Sequence, residues 1–70
     1  MTYATLYIDE GNLLNFHERR EDAEAAVLEV VRQQPEVAEE FGFFAFDEAG
    51  QRQGSFVSGA ELLARRGAAA

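Results

Sequence analysis

Cysteine is absent from the 70 residues, and so are lysine and tryptophan. Without cysteine there is no disulfide and no thiolate metal site, two of the usual staples of a domain this small. Histidine and proline occur once each, as His17 and Pro35. Catalysis needs a positioned constellation, and a lone histidine supplies none, so His17 reads as a strand-end residue. All six basic residues are arginine, set against thirteen acids, for a net charge of -7. So little positive charge argues against direct nucleic-acid binding, which depends on cations that displace counterions from phosphates. All-arginine usage also points to a GC-rich genome.

No apolar run approaches the roughly 20 residues needed to cross a bilayer. The opening MTYATLYIDE has neither the basic start nor the apolar stretch of an export signal. The expectation is a soluble, cytoplasmic chain with no membrane partner. Seventy residues make one domain, expected over 1–67 with a frayed tail at 68–70. A domain this short leaves roughly 40% of its unfolded surface exposed. Without a staple, its stability must come from an efficient core or from a partner chain.

What is present is one long helical segment, over residues 18–41. Ala23, Ala26, Val27, Val30 and Val31 fall on a single apolar stripe, with Leu28 widening it. Glu21, Glu24, Glu29 and Arg32 fall mainly outside the stripe. Glu21 and Asp22 suit the positive end of the helix dipole, yet no Ser, Thr, Asp or Asn sits at the cap position, so packing must fix that end. Pro35 predicts a break near Gln33 and Gln34, then a short helix over 36–40 whose apolar edge is Val37 and Phe41, stopped by Gly42.

The remainder reads as strands and turns. Residues 2–8 alternate and carry β-formers on both faces. Asp9-Glu10-Gly11-Asn12 is a turn, and 13–17 is a second strand that completes a hairpin. Residues 43–46 form a third strand, 47–50 a similar turn, and 52–57 a fourth strand that Gly54 bulges or places at an edge. Ser58-Gly59-Ala60-Glu61 matches a capping box for a short helix through Arg65 and Arg66, which Gly67 would stop. The two hairpin-plus-helix halves fit either an old duplication or convergent turn chemistry.

The predicted fold is α+β, in the order β-β-α-(α)-β-β-α: a four-stranded antiparallel sheet with the main helix across one face and a short C-terminal helix. Leu6, Ile8, Leu14, Phe16, Phe44, Phe46 and Phe56 are expected beneath Val27, Val30 and Val31. Tyr3, Tyr7, Leu13, Phe43 and Val57 then occupy the opposite face. Either register leaves apolar side chains uncovered.

Chemical motifs are scarce. Asp9-Glu10 and Asp47-Glu48 could hold a hard divalent ion if the hairpin tips met, but turn chemistry and solubility account for them and neither has EF-hand spacing. Ser55 and Ser58 are the only serines, Ser58 is occupied as a cap, and the glycines form no phosphate loop. No catalytic residue, cofactor site or metal site is assigned. The expected function is a small acidic, non-catalytic interaction module. It homodimerises or docks on a larger protein through its apolar sheet face, with Tyr3, Tyr7, Leu13 and Phe43 as anchors. The alternative is an acidic inhibitor that blocks a basic groove of a nucleic-acid enzyme or toxin, using Glu21, Glu24, Glu29, Glu36 and Glu40.

Overall fold

The computed structural model describes residues 1–69, with side chains through Arg65. Its elements are β1 (Thr2–Tyr7), β2 (Leu13–His17), α1 (Arg20–Gln33), a 3-10 turn (Pro35–Val37), β3 (Phe41–Phe46), β4 (Arg52–Ser58) and α2 (Gly59–Ala69). The strands form one antiparallel sheet in the order β2-β1-β3-β4, with two helices. Each hairpin thus contributes one central and one edge strand. No helix among the described residues is long and apolar enough to cross a membrane.

The boundaries follow local chemistry. Gly11 and Gly50 take φ of +74° and +81° in the two hairpin turns, which a residue with a Cβ rarely adopts. α1 starts after Arg19, whose side chain makes no capping bond, and its C-cap is Gln34, where the chain meets Pro35. The segment after Pro35 is a 3-10 turn and not the α-helical piece expected over 36–40. Three of its residues close one tight turn, and the chain then enters β3 two residues earlier than expected.

Gly42 is therefore not a helix stop. It pairs with Leu6 on one side and Ser58 on the other. A Cβ there would collide with the Val57 carbonyl oxygen, so glycine lets β3 and β4 approach. Gly59 is similarly constrained, since a Cβ would strike Cγ2 of Val31 at the α1–α2 contact. The capping box of α2 is half formed. Ser58 Oγ accepts from the Glu61 amide at 3.1 Å, but the Glu61 carboxylate turns outward to Arg65 at 3.0 Å. α2 also runs past Gly67, its expected stop, to Ala69. The alanines that follow are the best helix formers and carry it on.

The facing of the sheet is the reverse of the expectation. The core beneath α1 comprises Phe41 and Phe43 with Ala23, Val27, Leu28, Val31 and Leu62. Tyr3, Tyr7 and Val57 pack against it. Phe43 is 1% exposed. The physical reason is depth. A stripe of Ala and Val stands off the sheet by little of its own volume, and the large rings of Phe41, Phe43, Tyr3 and Tyr7 fill the space beneath it. Tyr3 meets Phe43 edge-on at 5.9 Å between ring centroids, and Tyr7 meets Phe41 at 4.7 Å. Arg20 closes one end of this core, its guanidinium 5.4 Å from the Phe43 ring centre. Full burial of a ring such as Phe43 contributes about 1.5–3 kcal/mol.

Candidate functional site

The sheet's other face has no helix. Cross-strand pairing sets Ala4 between Phe16 and Phe44, and Leu6 between Leu13 and Gly42, so these side chains share that face. Ala4, Leu6 and Phe44 form its floor and are nearly sealed, although none belongs to the core under α1. Their cover is the rim of the same face. Phe56 lies 5.3 Å and Phe46 6.4 Å from Phe44 between ring centroids, and the Arg52 guanidinium stacks 4.6 Å from its ring centre. The rim itself faces water: Phe16 is 62%, Leu13 42% and Ile8 39% exposed.

Between the two hairpin turns the face is hollowed into a groove of about 510 Å³. Leu6, Ile8, Leu13, Phe44 and Phe46 line it, Arg52 is its one charged side chain, and Gly11 and Gly50 lie at its turn end. A Cβ on either glycine would meet nothing, so that end is open. A smaller hollow of about 380 Å³ lies between α1 and α2, against Leu28, Val31, Pro35 and Leu63.

Of the four anchors expected from the alternation, only Leu13 lies on this open face. Tyr3 and Tyr7 are half-buried on the helix side, and Phe43 is in the core. The residues that do present the open face were assigned to the helix side by sequence: Ile8, Phe16, Phe46 and Phe56. Pairing explains the swap of Leu13. Thr5 opposes Asn15 and Leu6 opposes Leu13, so β2 holds one extra residue, Leu14, at a bulge. The bulge moves Leu13 to the other face from the strict alternation. A comparable irregularity in β4 lies between Phe43–Val57 and Ala45–Gln53 and includes Gly54, whose φ is +76°.

The acids of the alternative reading lie on α1, in the 3-10 turn and just before β3. Glu21, Glu29, Glu36 and Glu40 are exposed and Glu24 is half-buried. Arginines are interspersed among them. Glu21 pairs with Arg19 at 3.8 Å, Glu24 with Arg20 at 2.8 Å and Glu29 with Arg32 at 3.5 Å. Asp47 performs turn chemistry: Oδ1 accepts from the amides of Ala49 and Gln51, and Oδ2 from Gln53 Nε2, each at 2.9 Å. Among the described residues, no three of His, Asp and Glu come close enough together to hold a metal ion. His17 Nε2 and Thr5 Oγ1 are both buried without a hydrogen-bond partner.

The described lining of the groove thus offers apolar surface, aromatic rings and one guanidinium, a set suited to binding. No protein-family description matches the chain, and no curated protein or solved structure matches it significantly.

Proposed function

We propose that this chain is a small, non-catalytic interaction module that receives an apolar protein surface on the open face of its sheet. The occupant is either a second copy or part of a larger protein. One observation carries the reading: Ile8, Leu13 and Phe16 stay exposed around a nearly sealed floor of Ala4, Leu6 and Phe44. Isolated exposed apolar residues need no explanation, but a contiguous set around stacked rings marks an interaction surface. Aromatic residues are also the common energetic centres of such contacts.

The acidic-groove-blocker reading has weaker support. Three of its five acids already pair with arginines on the same or the adjoining turn, which dilutes any imitation of phosphate spacing.

Sedimentation equilibrium at high micromolar concentration tests the self-associating form. If a second copy is the occupant, a species above monomer mass forms that Ile8→Asp and Phe16→Asp both dissociate. A strict monomer removes self-association and leaves docking on another protein. Association that persists through both substitutions contradicts use of the open face.

A further inference from the structure

We infer that the natural occupant of the open face is a single apolar segment of another protein, and that it carries a carboxylate which pairs with Arg52. This inference rests on the reading that the open face docks protein. The first observation is charge. Arg19, Arg20, Arg32 and Arg65 each have a carboxylate oxygen within 2.8–3.8 Å. Arg52 makes no ion pair with any described residue, although the chain holds thirteen acids. Its guanidinium instead lies over Phe44, 4.6 Å from the ring centre, in the wall of the groove. A guanidinium held over a ring can still donate from its N–H groups, and a carboxylate is the group whose geometry matches its planar fork.

The second observation is size. A sheet four strands wide is about 19 Å across, and six residues of strand are about 20 Å long, so the flat footprint is about 400 Å². A standard interface takes about 800 Å² from each partner. The face therefore suits one strand or one helix laid along the groove and not a broad globular surface. Self-association is also opposed electrostatically, because it brings together two chains of net charge -7. An acidic segment from elsewhere meets that repulsion too, but its carboxylate lands in a groove whose one charged lining residue among those described is positive.

The test uses the full chain, isotope-labelled, and blocked leucine-rich hexapeptides as probes. Each peptide carries one glutamate, placed in turn at every position, and has a glutamine counterpart. Backbone amide shifts at Leu6, Phe44, Phe46 and Arg52 report binding. At the best position, the glutamate peptide is expected to bind up to about fivefold more tightly than its counterpart, the range of an exposed ion pair. Arg52→Gln should erase that difference, whatever it does to the affinity that the two peptides share, and leave the fold intact because Arg52 is exposed. Arg52→Lys should restore part of it. Equal binding of both peptides at every position overturns the carboxylate inference while the docking reading stands. Failure of all peptides to move these amides overturns both.

Discussion

Phe43 and Phe44 are adjacent in sequence, both nearly sealed, and covered by entirely different things. Phe43 points under α1, where Val27 and Val31 from a regular helix close over it. Phe44 points the other way and is shielded by Phe46, Phe56 and the stacked Arg52 of its own face. A helix is a cover fixed by its own backbone hydrogen bonds. Side chains on a sheet surface can rearrange when something better arrives. The two faces are therefore alike in composition and unlike in cover, and on the proposed reading the second exchanges its cover for a partner.

That contrast breaks first, if it is wrong, at the rings themselves. Phe43→Ala is expected to lower stability by about 3–5 kcal/mol, since it empties a packed site that cannot collapse. Urea unfolding measures it, and a loss near zero would mean α1 does not close that face. Gly42→Ala should cost about 1–3 kcal/mol, because the new Cβ meets fixed β4 backbone and the Phe56 ring. This effect falls on the open face, so it sharpens the comparison: that face is rigid in its backbone and adaptable only in its rim. Phe44→Ala is expected to cost about 1–2 kcal/mol, less than its neighbour, because rim side chains can settle into the gap. Phe16→Ser should change stability by no more than about 0.5 kcal/mol, as for an exposed position. It should nonetheless reduce the fluorescence of a bound apolar dye, and unchanged dye binding would show that the rim is not the adhesive part.

The architecture was legible in the sequence because its signals are local. The Ala23–Val27–Val31 spacing, Pro35, the two glycine turns and the Ser58 cap each specify a piece, and together they specify a four-stranded sheet with one main helix. The facing was not legible. Residues 2–8 and 43–46 are apolar on both sides, so period-two alternation assigns no preferred side. What decides it is the fit between a thin Ala/Val stripe and large rings, a property of two elements in contact. Leu13 was placed on the correct, open side for the wrong reason, since the bulge at Leu14 and the reversed facing cancel for that residue alone. The role of Gly42 was missed because its collision partner, the Val57 carbonyl, is 15 residues away and adjacent only in the sheet. Arg52 carried no sequence signal. Its significance lies in making no ion pair among the described residues, and that can be known only after the acids have been placed.

The most direct measurement is solvent paramagnetic relaxation of side-chain signals, with a neutral soluble probe and dilute, monomeric protein. The account predicts strong broadening at Ile8, Leu13 and Phe16 and little at Val27, Val31 and Phe43. Strong broadening at Phe43 with Ile8 and Phe16 protected in the dilute monomer would contradict it, because the helix would then cover the other face.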